Sequence, residues 1–220
     1  MVEMRPIGWV ESCFQEKFGT PRQSGLVPEA RGRIVFDREV PEEACRGLED
    51  FSHLWIVFLF DQVGEKETRW LVRPPRLGGN EKKGVFATRS PFRPNRIGLS
   101  LVALEKVGEG CLEVGGLDVV DGTPVLDVKP YLPYAEALPE ASGGFAGEAP
   151  QKLPVDFCEE VREMLNDDQK EMVAGILAVD PRPAYHGDER LYGCGIAGLE
   201  VGWQVVGGRV LVLSCRKVSG

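Results

Sequence analysis

The chain has 220 residues, of which 43% are hydrophobic and 27% charged, and it carries a formal net charge of −8. These values are typical of a folded globular protein and exclude extensive disorder. The longest apolar run, Leu54 to Phe60, is too short to span a bilayer, and the first residues contain no signal-peptide pattern. We therefore expect a cytoplasmic protein without a membrane partner.

The first 137 residues show the alternation of apolar and polar residues that is typical of β-strands. A short helix is predicted at 41–51, where Pro41 and two glutamates suit a helix start. Six or seven short strands separated by turn residues predict a β-barrel or a β-sandwich. The predicted strands lie near 5–12, 32–36, 54–60, 84–88, 97–107, 111–120 and 124–131.

After residue 137 the composition changes, and a second unit follows. Residues 138–151 are small, acidic and rich in Gly, Ala and Pro, which predicts a linker or an arm that crosses to a second subunit. Apolar residues at helical spacing predict helices over 154–167 and 168–180, and Gly207-Gly208 predicts the turn of a hairpin over 196–215. The expected organisation is a barrel domain over 1–137, the linker, and a small α+β domain over 152–220.

The charge is unevenly distributed along the chain. The window from Arg69 to Arg96 contains eight basic residues and one acidic residue, although the whole chain is acidic. It includes two rigid, proline-rich stretches, 69-RWLVRPPRLGGNEKKG-84 and 89-RSPFRPN-95. Arginines on stiff segments suit phosphate or carboxylate, and Trp70 could stack on a base, so RNA is a plausible partner. The alternative is a solvated loop whose arginines pair with the acidic remainder of the chain.

Three further polar segments have two interpretations each. The stretch 19-GTPRQSGLVPEARG-32 shows no apolar face, and it either holds a polar ligand or merely connects two strands. Asp118 and Asp121 lie in an apolar run, where they form Asx turns or bind a ligand. The corner 180-DPRPAY-185 is either a site or a helix stop enforced by proline.

The usual one-line signatures do not occur in the sequence. It has no P-loop, no dinucleotide-binding GxGxxG after a strand, no HExxH helix and no GxSxG elbow. Its six cysteines are scattered without a CxxC pair, which predicts free thiols and no metal site.

Several longer motifs, however, occur together in one order. They are PRQSGL at 21–26, LEDFSHLWIVFLF at 48–60, VRPPRLGGN at 72–80, GVFATRSPFRPN at 84–95, IGLS at 97–100, LDVVDGTPVLDVKPYLPYAEALP at 117–139 and DPRPAY at 180–185. On these residues the chain resembles the TsaA/TrmO-type family of tRNA adenosine-N6 methyltransferases. The resemblance implies a mainly β fold, with an N-terminal barrel in place of the usual doubly wound methyltransferase sheet and a small C-terminal α+β domain.

The resemblance also implies an activity, a cofactor and partners. The expected reaction moves a methyl group from S-adenosyl-L-methionine to N6 of N6-threonylcarbamoyladenosine, beside the anticodon of threonine tRNA. The expected assembly is a homodimer with the cofactor site near the subunit interface. Alternatives are an RNA-binding barrel without catalysis, or an S-adenosylmethionine-dependent methyltransferase for another RNA or a small molecule.

Site residues are carried over by motif. The expected cofactor contacts are Pro21, Arg22, Gln23, Asp61, Gln62, Arg89, Leu99, Leu117, Asp118, Val119 and Val120. Asp180, Arg182 and Tyr185 are the candidate catalytic residues, with Asp180 or Tyr185 orienting or deprotonating the N6 group. Arg76, Lys82, Lys83, Arg93 and Arg96 are expected to hold anticodon-arm phosphates. The chain departs from the family at Asp61, where histidine is common, and at Arg96, where proline is common.

Overall fold

Six antiparallel strands close into a barrel, in the order β1-β2-β7-β6-β3-β8. The computed structural model describes residues 3–64, 67–74, 81–182, 188 and 190–217. The barrel closes where Gly8 of β1 pairs with Val125 of β8, so the barrel prediction is confirmed over the sandwich. The strands are β1 (Gly8–Ser12), β2 (Gly32–Phe36), β3 (His53–Leu59), β6 (Ile97–Gly108), β7 (Cys111–Gly115) and β8 (Pro124–Pro130), and the short pair β4 (Leu71–Val72) and β5 (Lys83–Gly84) lies beside them.

The barrel core follows from the strand period. In β3 the alternate residues Leu54, Ile56 and Phe58 are buried, while their neighbours point outward. Phe58 needs the space that Gly98 leaves on the facing strand, because a Cβ atom at Gly98 would lie 2.3 Å from the Phe58 ring. Glycine at this position therefore allows the aromatic ring to fill the barrel.

The C-terminal unit is a four-stranded sheet with two helices. Its strand order is β10-β11-β12-β9, in which β9 runs parallel to β12. The hairpin turn at Gly207-Gly208 is confirmed, since both residues have positive φ angles of 56° and 74°. The elements are β9 (Val155–Phe157), α2 (Glu159–Met164), α3 (Asp167–Ala178), β10 (Tyr192–Ile196), β11 (Leu199–Val206) and β12 (Arg209–Lys217).

The prediction of one helix over 154–167 is wrong in its first part. Residues Val155–Phe157 form the edge strand β9, because β12 offers backbone partners there, and the helix begins only at Glu159. The second predicted helix is confirmed as α3, which starts with a capping box between Asn166 and Gln169.

Two other local predictions are corrected. The strand expected over 84–88 ends at Gly84, and Val85–Ala87 form a 3₁₀ turn that buries Val85. The helix expected over 41–51 consists of two 3₁₀ turns, because Gly47 adopts a left-handed conformation with φ of 90° between them.

The segment between β1 and β2 joins the two units. We expected residues 19–32 to have no apolar face, but Val27 and Ala30 are buried in the core of the C-terminal unit, together with Trp203. Phe14, which precedes this stretch, is buried in the same core. The domain boundaries at 137 and 152 therefore stay a prediction, since an N-terminal segment helps to build the second core. A one-turn helix α1 (Pro133–Glu136) and a 3₁₀ turn at Gly144–Ala146 precede β9.

All six cysteines are free thiols. Among the described residues, no three or more His, Cys, Asp or Glu side chains are grouped so that they could hold a metal ion. In the same part of the chain, every helix is either too short or too polar to cross a membrane.

Candidate functional site

The barrel topology brings the predicted cofactor segments to one end of the barrel. Strands β1, β3 and β7 finish there, while β2 and β6 start there, as the pairs Ser12–Gly32 and Leu59–Ile97 show. The loop 19–31, residues 61–62, the segment 89–99 and residues 117–120 all adjoin this end. Segments far apart in the sequence are thus placed around one surface.

Hydrogen bonds hold these segments to one another. Arg89 donates from Nη1 to Gln23 Oε1 at 2.6 Å, so two of the predicted cofactor residues are in direct contact. The backbone N–H of Leu101 donates to Ser24 Oγ at 3.2 Å, and that of Gly25 donates to the Gly116 carbonyl at 2.9 Å. The loop that contains PRQSGL is therefore fastened both to β6 and to the end of β7.

Asp118 is the perturbed ionisable group of this surface. It is half-buried, and its Oδ1 accepts a hydrogen bond of 2.5 Å from the hydroxyl of Ser100, which is only 1% exposed. Burial raises the pKa of Asp118 to about 6, while the hydrogen bond from Ser100 and the charge of Arg89 act in the opposite direction. A carboxylate that is costly to ionise without a counter-charge is a suitable partner for a bound cation.

The other residues of the segment 117–120 have different roles. The side chains of Leu117 and Val119 are 1% and 3% exposed and pack in the barrel core. Contacts from them to a ligand would therefore come from their backbone. The Val120 carbonyl accepts a hydrogen bond from the Thr123 hydroxyl at 2.7 Å.

Four more of the predicted cofactor residues adjoin this end of the barrel. Asp61 and Gln62 are exposed just after β3, where the Gln62 carbonyl accepts from Lys17 Nζ at 3.1 Å. Leu99 is 51% exposed on the outside of the barrel, whereas Pro21, within the loop 19–31, is buried.

The corner after α3 is held by a buried ion pair. Both carboxylate oxygens of Asp180 accept hydrogen bonds from the Arg182 guanidinium, at 2.8 and 3.0 Å, and Asp188 accepts a third at 3.0 Å. Asp180 and Arg182 are 3% and 7% exposed, and the bond to Asp180 raises the pKa of Arg182 above its already high ordinary value. The Arg182 carbonyl accepts from Arg22 Nη2 at 2.9 Å, so the corner lies against the cofactor loop. Tyr185 lies outside the described residues.

Two of the three predicted RNA-binding arginines are engaged with the backbone. Arg93 donates to the Thr88 carbonyl at 2.8 Å, and Arg96 donates to the Val63 carbonyl at 2.7 Å. Both side chains are half-buried and shape the loop. Because their partners are neutral, each arginine still contributes its full positive charge.

The predicted lysines lie on the short strand β5 and just before it. Lys82 is exposed, and Lys83 forms an ion pair of 2.7 Å with Glu81. Arg76 lies outside the described residues. The role of all these residues in RNA binding stays a prediction.

Ser24 and Ser100, which connect the cofactor segments, were not predicted as site residues. Ser100 had a visible signal, because it occupies an inward position of β6 between Gly98 and Val102. A small polar residue at such a position usually has a hydrogen-bond partner. Ser24 had no such signal, since serine is ordinary in a loop.

Comparison with known proteins gives consistent similarities over both units. The family model described as the tRNA-methyltransferase O N-terminal domain matches residues 9–137, and the one described as the TrmO C-terminal domain matches residues 150–218. A protein of Escherichia coli named tRNA (adenine(37)-N6)-methyltransferase is 47% identical over 218 residues, which cover 92% of this chain and 93% of that protein.

A sequence relative and a solved structure from Pseudomonas aeruginosa are also similar. One, whose name assigns it provisionally to the S-adenosylmethionine-dependent methyltransferases, is 47% identical over 90% of each chain. A crystal structure of TrmO from the same organism superimposes with a TM-score of 0.82 at 38% identity, and covers 99% of this chain and 97% of that chain.

Proposed function

The chain belongs to the tRNA-methyltransferase O family, and on this premise we propose that it methylates N6 of N6-threonylcarbamoyladenosine beside the anticodon of threonine tRNA. The chain is an S-adenosylmethionine-dependent tRNA adenine-N6 methyltransferase. The proposal adds the threonylcarbamoyl group, the anticodon arm and the identity of the tRNA. The observation that carries the proposal is the convergence of the family's motif segments on one end of the barrel.

The residues at this end fit S-adenosylmethionine. The cofactor presents a carboxylate, a sulfonium cation and an adenine edge, and the surface presents Arg89, Asp118 and Gln23 beside one another. A guanidinium suits the carboxylate, the half-buried Asp118 suits the cation, and an amide suits the base edge. When bound, the cofactor supplies an electrophilic methyl group.

Most of the rate enhancement then comes from positioning. A displacement at a methyl group requires the nucleophile to approach in line, so the protein has to fix two partners relative to each other. The loop 20–26 contacts β6, the segment around Arg89 and the corner at Arg182, and is therefore well placed to transmit this alignment. We assign Arg22 a positioning role on this ground.

Asp180 and Arg182 are proposed to face the target nucleotide as a rigid corner. As a proton acceptor Asp180 would have to leave two hydrogen bonds with Arg182, which is costly in a buried site. We therefore propose a structural contribution for the ion pair, and Tyr185 as the candidate group that orients or polarises the N6 hydrogen.

The basic residues are proposed to bind phosphates of the anticodon arm. Lys82→Ala and Arg93→Ala should each reduce the slope of log affinity against log salt by roughly 0.7 to 0.9, as expected for one lost phosphate contact. Lys106→Ala, on the barrel but outside the basic window, is the matched control and should leave the slope unchanged. An unchanged slope in Lys82→Ala would remove that residue from the interface.

The proposed assembly is a homodimer in the cytoplasm. Leu99 is 51% exposed on the outer wall of the barrel, and Tyr134 and Leu138 are 89% and 71% exposed near α1. Exposed apolar side chains of this size are common at subunit interfaces. Sedimentation velocity should give twice the chain mass, and Tyr134→Glu should shift the protein toward the monomer.

Nucleoside mass spectrometry tests the proposed substrate. The purified protein is incubated with S-adenosylmethionine and two preparations of threonine tRNA, one carrying the threonylcarbamoyl group and one lacking it. A gain of one methyl group on the modified nucleoside alone supports the proposal. A gain of one methyl group on the unmodified tRNA or on another RNA would show that the substrate differs from the proposed one. Binding of tRNA without any affinity for the cofactor would favour a non-catalytic RNA-binding barrel.

A further inference from the structure

Two large aromatic side chains are exposed beside the candidate site. Trp70 is 64% exposed and Phe86 is 72% exposed, and their ring centroids are 6.2 Å apart at an interplanar angle of 75°. The edge of one ring meets the face of the other, so a large part of each ring remains accessible to a flat partner. We call this pair the aromatic platform.

The backbone fixes the platform in place. The N–H of Val85, the residue before Phe86, donates to the Trp70 carbonyl at 3.0 Å. The side chain of Val85 is only 1% exposed, and its burial anchors this part of the backbone. The N–H of Arg69 donates to the Phe92 carbonyl at 3.1 Å, and the Arg69 guanidinium lies 4.0 Å from the Phe92 ring centroid. Rings held by such a frame lose little conformational freedom on binding.

The charge around the platform indicates a polyanion. Residues 67–74 and 81–96 contain seven basic side chains and two acidic ones, whereas the chain as a whole carries a net charge of −8. A symmetric interface with a second copy would place this patch against itself, and the like charges would oppose it. A nucleic-acid strand satisfies both features, since its phosphates meet the cations and its bases stack on aromatic rings.

The platform also adjoins the cofactor residues. Phe86 precedes Arg89 by three positions, which limits their Cα atoms to a separation of about 11 Å. Arg89 in turn contacts Gln23. A base stacked on the platform would therefore lie next to the end of the barrel where methyl transfer is proposed.

We propose that Trp70 and Phe86 form a stacking platform for an unpaired base of the tRNA loop that contains the target adenosine. The inference rests on the proposed function, because it assigns a substrate contact to the same site. Position 37 lies in a single-stranded loop, whose bases are available for stacking on aromatic side chains.

Equilibrium binding of tRNA at several salt concentrations tests the proposal. Trp70→Ala and Phe86→Ala should each weaken tRNA binding about tenfold, within the ~5- to 150-fold range that loss of one base stack produces. The slope of log affinity against log salt should stay unchanged in both variants, because stacking releases no counterions. Trp70→Phe should retain most of the affinity, since it keeps an aromatic face.

The controls separate this inference from the proposed function. Trp9→Ala removes another exposed tryptophan, 42% accessible on β1, and should bind tRNA like the wild type. S-adenosylmethionine affinity, measured by calorimetry, should be the same in all variants. Unchanged tRNA affinity in Trp70→Ala with normal methylation would overturn the platform while leaving the function intact. Conversion of a dimer to a monomer by Trp70→Ala would assign the surface to a second copy and also overturn the proposal. If the wild type neither binds the cofactor nor methylates tRNA, the proposed function itself fails.

Discussion

Replacing Asp118 with asparagine isolates the electrostatic cost of the candidate cofactor site. The change removes the charge but keeps the shape of the side chain and an oxygen that can accept the hydrogen bond from Ser100. Burial raises the pKa of Asp118 from its ordinary value of 3.8 to about 6 in the folded protein. This difference between the folded and unfolded chain corresponds to about 3 kcal/mol of lost stability when the group is fully ionised.

The sign of the effect follows from proton linkage. Near pH 4 the carboxyl is neutral in the folded protein and only partly ionised in the unfolded chain, so the cost is small. As the pH rises toward about 6 the unfolded chain ionises first, and the wild type loses stability relative to the variant. Above about pH 6 both states are ionised and the difference becomes constant.

Urea unfolding measured by circular dichroism tests this reasoning in the absence of cofactor. The free energy of unfolding of Asp118→Asn minus that of the wild type should increase by about 2 to 3 kcal/mol between about pH 4 and pH 7. Asp121→Asn is the matched control, because it makes the same chemical change at a nearby carboxyl. The carboxyl of Asp121 accepts a backbone hydrogen bond from Ser12 at 2.8 Å. A difference for Asp118→Asn that does not change with pH would refute the account.

Cofactor binding should respond in the opposite direction. A sulfonium beside Asp118 favours the ionised carboxylate, so the affinity for S-adenosylmethionine should fall as the pH drops through about 6. Calorimetry should show this loss in the wild type and a flat, weaker affinity for Asp118→Asn over the same range. Equal affinities of the wild type and Asp118→Asn for S-adenosylmethionine at pH 7 would show that Asp118 does not contact the cofactor.

Two further predictions concern stability. Asp180→Ala removes the main partner of the buried Arg182 and should lower the free energy of unfolding by about 3 to 5 kcal/mol. Removing both side chains should lower it by less than this single change. Urea titration of the single and double variants checks this, and a loss for Asp180→Ala below that of a surface substitution would contradict it. Gly98→Ala places a methyl group against the Phe58 ring and should destabilise the barrel by about 1 to 3 kcal/mol, while Gly195→Ala, which meets no atom within 4 Å, should be nearly neutral in the same thermal or urea assay. Equal effects of the two alanines would show that the ring moves aside.

The alternation along the sequence predicted the strands of a barrel or a sandwich, because each strand carries its own signal. The family resemblance selected the barrel. In β3 the inward residues Leu54, Ile56 and Phe58 alternate with outward neighbours. This alternation is visible in the sequence itself and does not depend on which strands pair with β3. The strand β9 could not be predicted in this way. Its three residues pair with β12, more than fifty positions later, and nothing in Val155–Phe157 themselves announces that partner.

The same distinction applies to the candidate site. The motif residues Gln23, Arg89 and Asp118 were selected from the sequence, and the structure brings the first two into contact and places the third close to Arg89. The fastening by Ser24 and Ser100 depends on distant strands and was missed. The ion pair between Asp180 and Arg182 was also not predicted. The two residues are only two positions apart, and the guanidinium reaches both carboxylate oxygens because of the way the chain turns at this corner.

We expect this protein to transfer a methyl group from S-adenosylmethionine to N6 of a tRNA adenine. The most direct measurement uses S-adenosylmethionine with an isotopically labelled methyl group and tRNA from a strain that lacks the corresponding methyltransferase. After digestion, fragmentation by mass spectrometry locates the label. The account predicts the label on the N6 nitrogen of the adenosine that follows the anticodon, and its loss with Arg89→Ala while tRNA still binds. A label on a ring nitrogen or on another nucleoside, or no label despite bound cofactor and tRNA, would contradict it.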